Sequence, residues 1–349
     1  MEEAIPRDRG VDLVKTLAIF GVLLVHVGAP AFGAGAVGTA PWLEALFWAS
    51  LSHACVPLFF MASGSLLLDP RRPLSPETVW KKRLPRLLAA LFFWAFAYKL
   101  FSFWTDAKVL DLAALIRISK QTLLFRHQEH LYYLHICLLV YLFLPLTAQI
   151  ANHGGEALRR YALGLWFALG ILYPTVRVFW PFTSLRGIPL QWMLNMTYAS
   201  IGYTLLGRAM REKSAETPRW KWALCALLGA ASGALGCYLQ SAGSGLTDFH
   251  FLEGMGLPMC LLALGIYGLS LGVKLPAWAE RLTESLSKAS FCVFLTHVFF
   301  QKALEKWGVT ALIGPVALTI PALSLLLLLC GWGAYALLRR VPFVNRYLI

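Results

Sequence analysis

Ten apolar stretches fill most of this 349-residue chain, each close to the length of about 20 residues that a helix needs to cross the hydrocarbon of a bilayer. They run roughly over 13–29, 42–68, 84–103, 131–150, 161–180, 189–207, 222–240, 253–273, 289–305 and 310–338. Segments of this kind satisfy their backbone groups internally as helices in lipid. The expected fold is an all-α integral membrane protein of about ten transmembrane helices. Composition agrees: 58% of residues are hydrophobic and 14% charged, with a mean hydropathy of +0.63, against about 45–50% and about 25% in soluble domains. The longest link between spans, 104–130, leaves no room for an appended soluble domain. Residues 1–349 therefore read as a single domain whose chemistry resides in spans and short loops.

Thirty-one Lys and Arg against 18 Asp and Glu give a net charge of +13. In a soluble protein this balance would point to nucleic acid, but the aromatic stacking modules and charged grooves of nucleic-acid binders are absent. The basic residues instead alternate in density from loop to loop. With the N-terminus inside, the rich loops (Lys81, Lys82, Arg83 and Arg86; Arg208, Arg211, Lys213, Arg219 and Lys221; Arg339, Arg340 and Arg346) all fall on the inner side, so both termini are expected in the cytoplasm. The start of the chain imitates a secretory signal, yet Glu2, Glu3, Asp8 and Asp12 spoil its basic region, and cleavage is not expected. Within 104–130, Leu112, Leu115, Ile116 and Leu123 recur at helical spacing, which predicts an interfacial or re-entrant helix. The seven cysteines lie in apolar stretches without CxxC or Cys/His spacing, so neither a disulfide framework nor a metal site is read.

Ionisable groups inside spans are costly and mark function by default. The first span carries Asp12, Lys15 and His26. Eleven residues at about 100° each return to within about 20° of the same face, so Lys15 and His26 share a helix face about 16 Å apart along the axis. That places a cation at the inner mouth and an imidazole near mid-membrane. Arg83 and Arg86, in RLPR, supply planar forks suited to phosphate oxygens; read alone, they would merely set topology and touch lipid headgroups. His26 alone would read equally well as a histidine hydrogen-bonded across helices. His130 opens HLYYLHICLLVYLFLPL and His297 lies mid-span in SFCVFLTHVFF. The separations of His127, His130 and His135 do not give the i, i+4 pairing of a helical metal site. Asp12 is expected to pair with Lys15 or an arginine. Ser63 and Gly64 are expected to bend the second span toward the reaction path, the alternative being a small-residue helix contact. Glu253, at an outer helix end, reads either as lining an acceptor site or as a solvated loop residue.

Five strings, VDLVKTLAIFGVLLVH, HACVPLFFMASGSLLL, RLPR, HLYYLHICLLVYLFLPL and SFCVFLTHVFF, occur in this order from residue 11 to about 305. Together they resemble the membrane-bound acyltransferase family 3 and, within it, the branch of the O-acetyltransferase of enterobacterial common antigen. The resemblance implies a multi-pass protein of the bacterial inner membrane. Its implied activity moves an acyl group, usually acetyl from acetyl-CoA, onto a hydroxyl of a cell-envelope glycan or lipid-linked sugar, with no metal. The family's first-helix histidine falls on His26 and its basic partner on Lys15, where arginine is commoner. The RxxR pair falls on Arg83 and Arg86, and the histidine of the HLW-type motif on His130, followed here by Leu131 and Tyr132.

On this reading Lys15, Arg83 and Arg86 hold the phosphates of coenzyme A, and the pantetheine arm threads inward along an open path to His26. His26, with His130 and Asp12 in the catalytic group, acts as general base on the acceptor hydroxyl or as an acyl relay. Ser63, His297 and Glu253 line the substrate path. The competing function is a transporter or flippase for an acylated envelope glycan, which intramembrane histidines would also suit. Against it, no paired broken helices appear in corresponding halves of the chain.

Overall fold

The computed structural model describes residues 7–71, 74–106, 109–185, 187–213 and 216–349. Its regular structure is helical, with no strand among the described residues. Among the described residues seven stretches are long and apolar enough to cross a membrane: Arg9–Ala34, Ala40–Leu67, Pro76–Thr105, Glu129–His153, Arg219–Ser244, His250–Ser270 and Val316–Leu338. The protein is a multi-pass membrane protein. Helices also stand near the other three expected spans, and each has a visible reason for being less apolar. Gly155–Trp166 carries Arg159 and Arg160 and passes into a π turn over Phe167–Leu172. Met196–Lys213 starts later than 189 because Asn195 caps it, its side chain accepting from the amides of Thr197 and Tyr198. Ala277–Lys306 has charged residues at both ends of an apolar middle.

Helix α1 (Arg9–Ala34) is the centre of the bundle. Asp8 caps it by accepting from the Val11 amide at 3.1 Å, and Asp12 lies in its first turn, where the helix dipole favours an acid. It packs against α2 (Ala40–Ser52) and α3 (Cys55–Leu67), and against two helices near the end of the chain, Ala277–Lys306 and Val316–Leu338. The expected span 42–68 is broken, and the break is at His53–Ala54 rather than at Ser63–Gly64. Pro57 explains it. Proline has no amide to return to the His53 carbonyl four residues earlier, and its ring crowds that carbonyl. Ser63 and Gly64 instead sit in an unbroken α3. A Cβ on Gly64 would lie 2.0 Å from the Thr204 carbonyl oxygen, and one on Gly207 would lie 2.1 Å from that of Met61. These glycines are where α3 and Met196–Lys213 touch backbone to backbone, the small-residue contact of membrane helices.

Helix α4 (Leu84–Thr105) is entered through a short turn capped by Ser75, then a π turn over Val79–Arg83, with Pro85 in the first turn of the helix proper. The amphipathic helix expected in the long link is α5 (Leu112–Leu123), capped by Asp111. Its Ala114, Ile118 and Thr122 face the protein, and Leu112, Ile116 and Leu123 are exposed. A 3-10 turn, Glu129–Leu131, leads into α6 (Tyr132–His153). After Gly155–Trp166 (α7) and Met196–Lys213 (α8) come α9 (Arg219–Ser244), α10 (Leu257–Ser270), α11 (Ala277–Lys306), α12 (Val316–Leu338) and the short α13 (Pro342–Tyr347). The exposed leucines of α9 and α12, among them Leu227, Leu235, Leu318 and Leu329, form the outer surface that lipid tails would cover. Residues from α1, the π turn and the C-terminal segment line one cavity, so both ends of the described chain lie at the same, basic end of the bundle.

Candidate active site

At the basic end, α1, α3, α4, α6, α11 and the C-terminal segment enclose a cavity of about 770 Å³, within the range of about 300–1,000 Å³ typical of ligand sites. Lys15, Lys81, Lys82, Arg83, Arg86, Lys288 and Arg346 line it, and no Asp or Glu is among the described lining residues. The π turn produces much of this. By widening the helix at Val79–Arg83 just before Pro85, it sets Lys81, Lys82 and Arg83 along one edge of the mouth. Lys81 pairs with Glu77 at 2.7 Å and Lys288 with Glu284 at 2.6 Å. Both are exposed single-turn pairs of the weakly stabilising kind. Lys15 Nζ donates to the Ser287 carbonyl at 3.1 Å, and Arg86 donates to a main-chain oxygen of Ile349 at 2.6 Å. Arg83 Nε is buried with no hydrogen-bond partner among the described residues. The cavity therefore holds a concentrated positive potential and at least one unengaged guanidinium nitrogen, the chemistry of an anion site.

Deeper in the bundle three histidines meet. The ring centroids of His26 and His297 are 5.0 Å apart, those of His130 and His297 5.4 Å, and those of His26 and His130 6.3 Å. They come from α1, the turn before α6, and α11. His297 is 0% exposed and His130 4%. His297 Nδ1 lies 2.7 Å from the Phe294 carbonyl oxygen. A carbonyl can only accept, so Nδ1 carries the proton and the lone pair of the neutral ring is on Nε2. That Nε2 has no partner among the described residues, nor has His130 Nε2. Two buried imidazole nitrogens are thus left beside His26, able to bind or accept a proton from a hydroxyl group brought among them. Among the described residues no cluster has the arrangement of a metal site.

The expected path from mouth to imidazole is not open. None of the three histidines lines the cavity. Its inner end is closed by aromatic rings, with Tyr133 and Phe294 5.1 Å apart and Phe60 5.3 Å from Tyr133. Phe294 also lies 5.8 Å from His130 and 6.1 Å from His297, so one ring borders both compartments. Lys15 and His26 share α1 as their spacing implies, with Lys15 on the cavity wall and His26 beyond the partition.

The other residues singled out in the sequence are distributed unevenly. Arg83, Arg86 and Ser63 line the cavity. Asp12 does not belong to the histidine cluster: it is bound by Arg7 through contacts of 2.5 and 2.7 Å, fourteen residues and so about 21 Å along the helix from His26. Glu253 is exposed and lies away from the cavity, its carbonyl accepting from the Gly256 amide in the turn before α10. Sequence reasoning missed Tyr98, whose ring lies 4.8 Å from His130 and stacks on Phe299 at 3.9 Å while its hydroxyl donates to the Leu295 carbonyl. It also missed Phe294, although a position three residues before His297 on one helix is a neighbour by spacing alone. The C-terminal wall, anchored where Trp94 donates to the Leu348 carbonyl at 2.9 Å, had no sequence signal.

Comparison with curated proteins and with solved structures gives no match. A family model described as an acyltransferase domain does match, over residues 8–338. That range takes in α1 through α12, six of the seven cations of the cavity and all three histidines, and the chain belongs to the acyltransferase 3 family of membrane acyltransferases.

Proposed function

We propose that the protein is an acyl-CoA-dependent O-acyltransferase of the bacterial inner membrane. Acyl-CoA, with acetyl as its acyl group, enters from the cytoplasm, and a hydroxyl of a cell-envelope glycan or lipid-linked sugar receives the acyl group. The observation that carries this reading is the cavity lined by seven cations and no described Asp or Glu, ending one aromatic ring away from three clustered imidazoles. Coenzyme A has matching parts: a phosphorylated nucleotide head for the cationic mouth, and a thin arm with a thioester at its tip.

Lys15, Arg83 and Arg86 hold the phosphates, assisted by Lys81, Lys82 and Arg346. The acceptor hydroxyl is bound among His26, His130 and His297, where a basic imidazole nitrogen takes its proton as the oxygen attacks the thioester carbonyl. The new C–O bond forms and the C–S bond breaks. Coenzyme A leaves as the thiolate and receives the proton from the imidazolium, so the histidine ends the cycle neutral. The same cluster would serve an acyl-histidine relay.

The test uses purified protein in detergent with radiolabelled acetyl-CoA. Binding should be saturable and should weaken as salt rises, because the contacts are mainly electrostatic. Arg83→Ala with Arg86→Ala should lower affinity and flatten its salt dependence. Unchanged affinity in the double variant, or no binding by the wild type, refutes the assignment of the cavity.

A further inference from the structure

Phe294 occupies a position that the acyltransferase reading leaves without a role. Its ring is 6% exposed. One side faces the cationic cavity and the other faces His130 and His297. Its main-chain carbonyl fixes the proton of His297 on Nδ1. The rest of the partition is fixed in place, because Tyr133 packs between Phe59, Phe60 and Phe294 at centroid distances of 5.1–6.0 Å. Because this ring borders both the cavity and the histidines, a thioester carbonyl delivered through the cavity meets it on the direct line to His130 and His297. Aromatic side chains on helices adopt two staggered χ1 positions rather than a continuum, so the Phe294 ring either occupies that line or leaves it as a unit.

We infer that Phe294 is the residue that sets acyl chain length: with its ring turned aside to let the thioester pass, that ring still bounds the space beside the histidines, together with Phe60 and Tyr133, and the space left admits a two-carbon group and excludes longer chains. This rests on the acyl-CoA reading of the cavity. Apolar pockets discriminate by about 10- to 200-fold for each methylene they must accept or reject, so the selection is measurable.

The experiment compares acetyl-, butyryl- and hexanoyl-CoA as donors for purified wild-type protein and for Phe294→Ala and Phe294→Leu. The readouts are kcat/KM for each donor and the affinity for coenzyme A. Wild type should prefer acetyl-CoA to butyryl-CoA by at least about tenfold. Phe294→Ala should bring the two donors close to parity and admit hexanoyl-CoA, and Phe294→Leu should fall between. Coenzyme A affinity should stay unchanged, since Lys15, Arg83 and Arg86 are untouched. The leucine variant keeps most of the apolar volume and carries the test if the alanine variant fails to fold. An unaltered donor profile in a folded variant overturns the inference, as does a wild type that uses hexanoyl-CoA as readily as acetyl-CoA. A wild type inert toward every acyl-CoA overturns the acyl-CoA reading itself, and the inference with it.

Discussion

Two residues on one helix face, Lys15 and His26, stand in two different compartments. Lys15 is on the cavity wall and His26 lies behind the aromatic partition. Their spacing was legible in the sequence because helical periodicity alone decides which side chains share a face. The partners of His26 were legible only as separate motifs, since His130 and His297 stand over a hundred positions along the chain and meet it only when α6 and α11 pack. On the proposed acyltransferase reading, this separation predicts a split in kinetic parameters. His26→Ala should lower kcat by about 10²–10⁴, the usual worth of a general base, and leave acetyl-CoA affinity unchanged. Lys15→Ala should raise the KM for acetyl-CoA with the smaller effect on kcat, as loss of uniform binding does. Steady-state transfer assays on the two variants check this; near-normal turnover in His26→Ala would leave His26 as a packing residue.

At the scale of the helices, apolar length alone located the long helices around the site, but neither its C-terminal wall nor where the helices break or touch. The break at His53–Ala54 was encoded by Pro57, through a backbone effect that a count of apolar residues does not register. Gly64 draws notice in the sequence, but whether it bends a helix or admits a neighbour depends on what lies opposite, here the backbone of Thr204. That close approach draws α3 onto α8 and leaves Phe59, Phe60 and Ser63 on the cavity wall. Gly64→Ala should therefore destabilise the protein by about 1–3 kcal/mol or more, since the added carbon has only backbone to push against. Gly243, on α9, has nothing within 4 Å of an added Cβ, and Gly243→Ala should be neutral or stabilising by up to about 1 kcal/mol. Thermal unfolding of both variants in detergent reads the contrast, and equal effects would deny the α3–α8 contact its structural role.

At the scale of the whole molecule, several acids of the basic end are held in ion pairs that join one element to another. Arg9 pairs with Glu280 at 2.6 Å, and Arg211 reaches Asp8 at 3.0 Å and Asp69 at 3.5 Å. These pairs join the start of α1 to α8, α11 and the segment after α3, and the carboxylates they hold are kept away from the cationic mouth. Asp69 is the clearest case. The guanidinium of Arg71, hydrogen-bonded to it at 2.7 Å, is the main cause that holds its carboxyl down to about 2. A carboxyl whose pKa is lower folded than unfolded stabilises the fold fully above its unfolded value, near 4, and loses that contribution as pH falls through its folded value. Asp69→Asn should therefore lower the unfolding temperature relative to wild type by a constant amount from pH 7 to pH 5. The gap should close as pH drops from about 4 to about 2, because the wild-type carboxyl then becomes neutral as well. High salt should shrink the gap at pH 7, as it does for partly exposed charge pairs. A gap that stayed the same at pH 2 would mean that Asp69 acts through its shape and uncharged hydrogen bonds, and the ion-pair seam would then not be what joins these helices at the mouth of the site.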